Sequence, residues 1–424
     1  MALYNLLLVI LLVLLSPYWL FKIIFSAKWR VGFSQRLGFN LPVSKLPVIW
    51  MHAASVGEVR IAAGLVKAFK QKKPEQEFVL SVITATGLAT ANRELAGQAT
   101  VLLAPLDAPG VVNRFIKSLR PQVLALVETE LWPNLIATAA QQGVKLAIIN
   151  GRLSDRNFPK YRKFRNLFRS VLTNINVACV QDETDRERFA ELGVPPDRIQ
   201  VCSSLKYDLS TVNSPVPCGN YREFGLEETD LVWTAGSTRY GEEEILIQAF
   251  CNLKKEFPGL KLILAPRHLE RLTEIEKLLT ANKIKYVRKT TLPDSPKGFD
   301  CLLLDKMGEL TQAYSVSTVV FVGGSLVNFG GQNIIEPAAL SKPVLFGPYM
   351  SNFKETASFL LSEKAALQVD DAADLEKQLG SLLRDPVRAS QLGENARAGL
   401  RKKQGALLKN MQALEGLLSH DKTA

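Results

Sequence analysis

The sequence predicts an α/β protein with two doubly wound domains of similar size, preceded by an apolar N-terminal helix. Three observations support this prediction. The chain has 424 residues, more than the roughly 250–300 residues that one hydrophobic core usually accommodates. Short β-branched runs alternate with helical patterns in two successive series, and residues 3–25 are almost uniformly apolar. The composition, with 47% hydrophobic and 22% charged residues, is typical of globular proteins.

The predicted strands fall into two groups, separated by residues 214–220, which have the composition of a linker. Strands that alternate with single helices form a parallel sheet with helices on both faces. The predicted domains are therefore residues 26–212 and 213–424, two Rossmann-like domains that face a cleft. Ligands of such sheets bind beyond the carboxyl ends of the strands, so the loops after strands are the candidate sites. The predicted strands are 48–53, 78–83, 101–104, 123–127, 145–150 and 177–181 in the first domain, and 231–236, 260–266, 285–287, 301–304, 318–323 and 343–346 in the second.

The apolar run predicts a membrane anchor over residues 1–25, because about 20 apolar residues span a bilayer as a helix. A cleavable signal peptide is disfavoured, since no basic region precedes the run and no A-x-A site follows it. A buried core helix is disfavoured by the terminal position and by Tyr18 and Trp19. Ser16 and Pro17 leave open whether the helix crosses the bilayer or enters one leaflet. By the positive-inside rule, four basic residues place the remaining chain in the cytoplasm: Lys22, Lys28, Arg30 and Arg36.

The formal net charge of +11 predicts an anionic partner. Nucleic acid is disfavoured because the chain has no recognisable base-stacking or groove-reading module. A second basic cluster adjoins an apolar helical face, so an anionic membrane surface is favoured. The alternative is a core-packing helix with a solvated basic face. The apolar face consists of Tyr161, Phe164, Phe168, Val171 and Leu172, and the basic cluster of Arg152, Arg156, Lys160, Arg162, Lys163, Arg165 and Arg169.

Cysteine and histidine usage predicts reduced thiols and no metal site. The five cysteines show no CxxC spacing and mostly adjoin apolar runs, which is typical of buried thiols in a cytoplasmic domain. Only three histidines are present, so a His/Cys zinc site would be hard to assemble.

The densest motif begins at the glycines that end the predicted strand 318–323. Glycines 323–324 come first, and glycines 330–331 then lead into a helix whose first turn is expected near Asn333. Free backbone N–H groups and the positive end of a helix dipole bind anions. This segment therefore predicts a nucleotide-phosphate cradle.

Glu336 lies where a carboxylate could accept hydrogen bonds from both hydroxyls of a ribose. The alternative is a tight strand–helix turn in which Glu336 is only a charge at the helix N-terminus. The Pro-Val-Leu-Phe-Gly-Pro run at 343–348 favours the nucleotide site. A dehydrogenase and a P-loop kinase are disfavoured, because no convincing GxGxxG follows the first strand and no GxxxxGK[ST] occurs.

The glycine pairs, Asn333, Glu336 and the 343–348 run together resemble the donor-nucleotide motif of GT-B glycosyltransferases. Three further segments are similar to those of the 3-deoxy-D-manno-octulosonic acid (Kdo) transferases: HAASVGE at 52–58, ETELWPN at 128–134 and NGRLS at 150–154. The resemblance extends from the anchor to about residue 408. One departure is Gly151, where the family often has alanine, and it leaves the neighbouring Arg152 intact.

The resemblance implies an inverting, family 30 glycosyltransferase of the GT-B fold that moves Kdo from CMP-Kdo to lipid IVA, a lipid A precursor, at the inner membrane. Glu58 would accept a proton, while Glu128 and Lys206 would stabilise the transition state. No metal cofactor is expected, because CMP-Kdo carries one phosphate and the chain has no DxD motif. The residues implied to bind CMP are Pro266, Arg267, Met307, Gly308, Glu309, Asn333, Ile334, Ile335 and Glu336.

The loop positions agree with these roles, and some have a structural alternative. Glu58 lies between a predicted strand and helix, where it is directed into the cleft and could also cap the helix. Glu128 and Glu130, two residues apart, would face one side of an extended strand end, although Glu130 also fits a buried, hydrogen-bonded carboxyl. Trp132 is expected in the core. His268 is expected beside the nucleotide or exposed, without a catalytic role.

Two other functions remain open from the sequence. Another GT-B sugar-nucleotide enzyme, either a transferase or an epimerase, would share the glycine motif, but an epimerase has no use for a membrane anchor. A non-catalytic lipid-binding scaffold would be expected to have lost its chemical groups, whereas Glu58, Lys206, Arg267 and Glu336 are all present.

Overall fold

The computed structural model describes residues 1–25, 32–44, 46–209, 219–292 and 298–419. The chain forms two compact units: unit 1 comprises Met1–Leu209 with Gln404–Ala424, and unit 2 comprises Ser210–Lys403. Most of the predicted linker lies outside the described residues, as do Lys28, Arg30, Cys218, His420 and the side chain of Lys22.

The strands of unit 1 are β1 (Val48–Ala53), β2 (Glu77–Val82), β3 (Thr100–Leu103), β4 (Pro121–Val127), β5 (Lys145–Gly151), β6 (Val177–Val180) and β7 (Ile199–Val201). They form one parallel sheet in the order β3-β2-β1-β4-β5-β6-β7. The sequence predicts the first six to within two residues at each end. It misses β7, since the polar Gln200 interrupts its short apolar run.

The helices of unit 1 begin at residues suited to helix starts. Ser55, Thr84 and Asp182 each accept a backbone N–H three residues further on, at 3.2, 3.0 and 2.8 Å; such a cap stabilises a helix by about 1 kcal/mol. Two other helices start with proline, which suits the first helical position. The helices are α1 (Ala2–Phe25), α2 (Phe33–Arg36), α3 (Val56–Lys72), α4 (Ala85–Glu94), α5 (Pro109–Leu119), α6 (Pro133–Gln141), α7 (Phe158–Lys163), α8 (Arg165–Leu172), α9 (Glu183–Leu192) and α10 (Leu205–Asp208).

Both faces of the unit 1 sheet are buried. Along β1, Val48 and Trp50 pack in one hydrophobic cluster, while Ile49 and Met51 pack in another. Successive side chains of a strand point to opposite faces. The continuous apolar run of β1 is therefore the signature of a strand covered on both sides.

Unit 2 repeats this architecture. Its strands are β8 (Leu231–Thr238), β9 (Leu260–Pro266), β10 (Tyr286–Arg288), β11 (Cys301–Leu303), β12 (Val319–Val322), β13 (Val344–Phe346) and β14 (Leu367–Gln368). They form one parallel sheet in the order β10-β11-β9-β8-β12-β13-β14. The sequence predicts all of these to within two residues except the two-residue β14. The helices are α11 (Glu243–Glu256), α12 (Leu272–Ala281), α13 (Leu310–Ser315), α14 (Ile335–Ala339), α15 (Lys354–Ser362), α16 (Ala372–Arg384) and α17 (Pro386–Lys402).

The last helix, α18 (Ala406–Ser419), corrects the predicted domain boundary. The sequence assigns residues 213–424 to one domain, but Met411 and Leu414 of α18 are buried in a unit 1 cluster. Asp208 accepts the backbone N–H groups of Gly405 and Leu407 at 2.9 and 3.0 Å. The chain thus returns to unit 1, because its final apolar face is covered there.

Helix α1 lies in unit 1, where the Tyr4 hydroxyl donates to Asp107 Oδ2 at 2.8 Å. No helix of the described residues is both long enough and apolar enough to cross a membrane, so the predicted spanning anchor is not confirmed. Most of the large apolar side chains described in α1 are exposed: Leu3, Leu6, Leu7, Val9, Ile10, Leu11, Val13, Leu14, Leu15 and Phe25.

The apolar face beside the second basic cluster is predicted to contact a membrane surface. For most residues of this face the prediction is wrong. Phe168, Val171 and Leu172 are buried in the unit 1 core, and Tyr161 packs against it. Phe164 stays exposed, between α7 and α8. Core packing therefore uses this face, as in the alternative given above. All of the basic residues of the cluster are exposed except Arg152, which is half-buried.

Candidate active site

In unit 1, the predicted site residues Glu58, Glu128 and Lys206 lie at one end of the sheet. Glu58 follows β1, Glu128 follows β4, and Asn150 is the penultimate residue of β5; these three strands are neighbours in the sheet. Lys206 lies in α10, after β7. Because the carboxyl ends of parallel strands share one edge, residues far apart in sequence meet there.

The Glu58 carboxylate is part of a capping box at the start of α3. Its Oε2 accepts the Ala54 N–H at 2.7 Å, its Oε1 accepts the Ser55 hydroxyl at 2.8 Å, and Ser55 Oγ accepts the Glu58 N–H. The side chain is nearly buried, at 9% exposure. Burial raises the pKa of Glu58 to about 7, and the charges of Glu130 and Glu128 add to this, whereas the two hydrogen bonds oppose it. The capping alternative is therefore true, and the pKa is one that suits a general base.

Glu128 is held in a left-handed backbone conformation, with φ 55°. Its Oε1 accepts a hydrogen bond from Asn150 Nδ2 at 3.2 Å and lies 3.8 Å from Lys206 Nζ. Asn150 also accepts the Leu205 N–H at 2.8 Å. Asn150 thereby joins the Glu128 loop to the start of the helix that carries Lys206.

Glu130 fits its structural alternative. Its Oε2 accepts the Trp132 indole N–H at 2.8 Å and lies 3.8 Å from His52 Nε2. Burial raises the pKa of Glu130, and the charge of Glu128 adds to this. His52 is fully buried beside Ser81, and burial lowers its pKa to about 4, so the imidazole is neutral at pH 7. Trp132 packs partly buried against the core, as expected.

Unit 1 thus combines a carboxyl group that can take a proton near pH 7 with a half-exposed ammonium. Glu58 can remove a proton from an approaching hydroxyl, and Lys206 can stabilise negative charge that develops nearby. The Glu128 carboxylate lies 3.8 Å from this ammonium group. This set of groups suits a group transfer to an alcohol.

In unit 2, the predicted nucleotide residues lie at or after the ends of β9, β11 and β12, at the carboxyl edge of the sheet. Pro266 ends β9, and Arg267 is exposed with its N–H donated to Thr238 O at 3.0 Å. Met307 and Gly308 are exposed after β11. Glu309 forms an ion pair with Lys306 at 2.7 Å.

Asn333 and Glu336 are tied together at the start of α14. Asn333 Nδ2 donates to Glu336 Oε1 at 2.9 Å, and Asn333 Oδ1 accepts the Ile335 N–H at 3.1 Å. Thr311 Oγ1 donates to Glu336 Oε2 at 3.3 Å, which links α13 to α14. The helix begins two residues after the predicted position. Glu336 is held with its carboxylate half-buried near the loop that carries Glu309.

Two of the predicted nucleotide residues have buried side chains. The side chains of Ile334 and Ile335 are buried at 0% and 2% exposure, because the short helix packs these apolar groups into the domain. Only their backbone groups are left to contact a ligand.

The structure corrects the first part of the predicted glycine cradle, the loop that begins at glycines 323–324. The N–H groups of Gly324, Ser325 and Leu326 donate to the carboxylate of Glu242, at 2.6, 2.9 and 2.9 Å. A protein carboxylate therefore occupies the anion-binding position that the glycines were predicted to offer to a phosphate.

Sequence reasoning missed Asn150 as a connecting residue, and it missed the segment after β8 altogether. This segment, Gly-Ser-Thr-Arg-Tyr-Gly-Glu-Glu at 236–243, contains Arg239 and Glu242. A signal was present, since small residues followed by charged ones at the end of a central strand mark a candidate site.

Comparison with known proteins gives consistent results. Residues 31–209 match the family model described as 3-deoxy-D-manno-octulosonic-acid transferase (kdotransferase). A 3-deoxy-D-manno-octulosonic acid transferase of Haemophilus influenzae is 32% identical over 399 residues, which cover 93% of each chain. A bifunctional glycosyltransferase/methyltransferase of Fusobacterium nucleatum is 35% identical over 89% of this chain, and the match spans 58% of that longer protein.

Among solved structures, a UDP-GlcNAc 2-epimerase from Neisseria meningitidis bound to UDP-GlcNAc is similar over 88% of this chain and 100% of its own, with a TM-score of 0.61 and 13% identity. At this identity the similarity shows the fold alone. A glycosyltransferase from Rickettsia africae is similar over 89% of this chain, with a TM-score of 0.58 and 11% identity. The predicted GT-B type architecture is thereby supported over most of the chain.

Proposed function

The chain belongs to the 3-deoxy-D-manno-octulosonic acid (Kdo) transferase family of glycosyltransferases, and on that premise we propose that it transfers Kdo from CMP-Kdo to lipid IVA with inversion at the anomeric carbon. The observation that carries the proposal is the buried Glu58 carboxyl, whose pKa of about 7 suits a base that works at neutral pH. Lys206 beside Glu128 supplies positive charge in the same unit.

In the proposed reaction, Glu58 takes the proton of the primary hydroxyl on the acceptor glucosamine. The hydroxyl oxygen forms a bond to the anomeric carbon of Kdo, and the bond from that carbon to the phosphate oxygen breaks. CMP leaves with the bonding electrons, and the Glu58 carboxyl carries the proton. A single displacement of this kind inverts the configuration at the anomeric carbon.

Lys206 is proposed to stabilise the negative charge of the transition state, with Glu128 fixing the position of its ammonium. In unit 2, Arg267 and the Glu309 loop are proposed to contact CMP together with Pro266. Asn333 and Glu336 would hold its ribose. These roles use side chains that lie at the carboxyl edges of the two sheets, where ligands of such folds bind.

No metal cofactor is proposed to take part. CMP-Kdo carries one phosphate, whose charge a lysine and an arginine can balance. A diphosphate donor carries more negative charge and would depend more on a divalent cation.

We further propose that the protein acts at the cytoplasmic face of the inner membrane. The exposed apolar side chains of α1, among them Leu6, Val13 and Leu14, support an attachment of α1 to the bilayer. The second basic cluster, between Arg152 and Arg169, would adjoin anionic head groups. A lipid acceptor would then be present on the same surface.

The direct test is to incubate the purified protein with CMP-Kdo and tetraacylated lipid IVA and to weigh the product by mass spectrometry. We expect a mass gain of one or more Kdo units, and NMR should show opposite anomeric configurations in donor and product. An unchanged acceptor would refute the proposed acceptor, and retained configuration would refute the inversion.

A further inference from the structure

The segment at 236–243 flanks the topological switch point of unit 2. From β8 the chain proceeds to β9, β10 and β11 on one side of the sheet and then crosses to β12 on the other side. In open parallel sheets, ligands bind in the crevice where the strand order reverses. The residues after β8 and β12 are therefore the ones that border this crevice.

Glu242 joins these two loops. Its side chain is fully buried and accepts four backbone N–H groups: that of Arg239 at 2.9 Å after β8, and those of Gly324, Ser325 and Leu326 after β12. A Cβ atom at Gly323 would lie 2.8 Å from Glu242 Oε2. Glycine at 323 thus permits the close approach that brings the two loops together.

The guanidinium groups of Arg239 and Arg271 have different partners. The Arg271 guanidinium is paired with the buried Glu243 at 2.8 Å. The Arg239 guanidinium instead lies over the Phe329 ring at 5.2 Å and contacts His268 Nε2. Its Nε is buried and has no hydrogen-bond partner, and no carboxylate of the described residues lies within ion-pair distance of it.

A guanidinium held in this way is suited to bind an oxyanion. The cation–π contact with Phe329 restrains the group, and the missing carboxylate leaves its positive charge uncompensated. Planar N–H pairs match the oxygen pairs of carboxylates and phosphates. A sugar-nucleotide donor of the proposed kind offers both, since Kdo is an acid and CMP carries a phosphate.

We propose that Arg239 is a donor-binding residue that pairs with an anionic oxygen group of the donor, and that Glu242 is the positioning residue that holds Arg239 at the switch point. This inference rests on the proposed function, because it takes the donor to be CMP-Kdo. It adds two residues to those that the family resemblance implies.

The test compares Arg239→Gln with Arg388→Gln, an exposed arginine in α17 of the same unit. Loss of a charge-assisted hydrogen bond should raise the KM for CMP-Kdo about tenfold or more in the first variant, and the control should match the wild type. Inhibition by CMP shows whether Arg239 binds the phosphate of CMP or the carboxylate of Kdo. If CMP inhibits Arg239→Gln as strongly as the wild type, Arg239 binds the sugar carboxylate; if inhibition weakens in parallel, it binds the phosphate.

An unchanged KM in Arg239→Gln would overturn the proposal. A wild-type protein that transfers no Kdo would instead refute the proposed function, so the two failures are distinguishable. For the positioning role, Glu242→Gln should raise the KM in the wild-type background and add little in the Arg239→Gln background. Equal increases in both backgrounds, or a lowered melting temperature with an unchanged KM, would show that Glu242 does not act through Arg239.

Discussion

Lys206 Nζ lies 3.8 Å from Glu128 Oε1, with the lysine side chain 37% exposed and the glutamate 18%. The two residues are 78 positions apart in the sequence, one in the loop after β4 and the other in α10, and Asn150 hydrogen-bonds to both segments. An ion pair that is this accessible to water contributes little to stability, typically about 0–1 kcal/mol. Its geometry instead fits the proposed role of Lys206, in which a positive charge is positioned for the reaction.

Replacing Lys206 by glutamine should lower kcat about 10²- to 10³-fold, because a positioned charge that stabilises the transition state is lost. The melting temperature should change little. Lys72→Gln is a matched control, since Lys72 forms a comparable exposed pair with Glu415 at 3.1 Å, away from the sheet edge. Equal activity of both variants would contradict the role of Lys206.

The sequence was sufficient to predict both sheets because buried parallel strands are continuous apolar runs with glycine or polar residues after them. The sequence predicts twelve strands to within two residues, whereas β7 contains the polar Gln200 and β14 has only two residues. The capping role of Glu58 was also predictable, since Ser55 and Glu58 have the spacing of a capping box.

Other features depend on long-range packing that no local pattern shows. The return of α18 to unit 1 depends on where its apolar face finds a partner. Similarly, the local sequence shows no acceptor for the backbone N–H groups of the glycine loop after β12. Their acceptor is the carboxylate of Glu242, and Gly324, the first of them, is 82 residues further along the chain. Burial of Phe168 and Leu172 followed from the same cause, since one apolar helix face fits either a membrane or a core.

Glu336→Ala should raise the KM for CMP-Kdo more than it lowers kcat. Glu336 is held by Asn333 and Thr311 and is proposed to contact the ribose, which is remote from the reacting carbon. Steady-state kinetics with CMP-Kdo as the varied substrate measure this. The matched control is Glu394→Ala in α17, an exposed carboxylate. A fall in kcat with an unchanged KM would place Glu336 in the chemical step instead.

Full transfer activity is expected in the presence of EDTA. The proposed stabilisation of the departing phosphate uses Lys206 and Arg267, whose charges a chelator does not affect. Activity is compared with and without EDTA, and then after adding magnesium. Loss of activity that magnesium restores would refute the metal-independent mechanism.

Deletion of residues 1–25 should weaken binding to vesicles that contain anionic lipid and leave CMP affinity unchanged. The deletion removes the exposed apolar side chains of α1 and the hydrogen bond from Tyr4 to Asp107, whereas the proposed CMP contacts lie in unit 2. Residual binding should fall as salt is added, since the exposed basic cluster would supply it. If the truncated protein does not bind vesicles at low salt, the second basic cluster has no membrane role.

Glu58→Gln should lower kcat about 10²- to 10⁴-fold, because the amide cannot accept the proton, while CMP affinity stays near that of the wild type. The capping box can survive this change. The amide oxygen can accept the Ala54 N–H, and the amide nitrogen can donate to Ser55 Oγ in place of the original hydroxyl donation. A glutamine variant that transfers Kdo at the wild-type rate would overturn the assignment, and Glu128 would become the candidate base.

The pH dependence separates the chemical role of Glu58 from its capping role. As a base, Glu58 works as the carboxylate, so kcat/KM should rise with pH through about 7, the pKa of the buried group, and then level off. The stability effect has the opposite sign. A carboxyl whose folded pKa lies above its unfolded value of 4.5 contributes stability below that unfolded value and loses it as pH rises through about 7. Between pH 5 and about pH 8, the melting temperature of Glu58→Gln should therefore rise relative to that of the wild type. A wild-type rate that is flat across this range, with the expected gain in relative stability, would show that Glu58 titrates as described but is not the base.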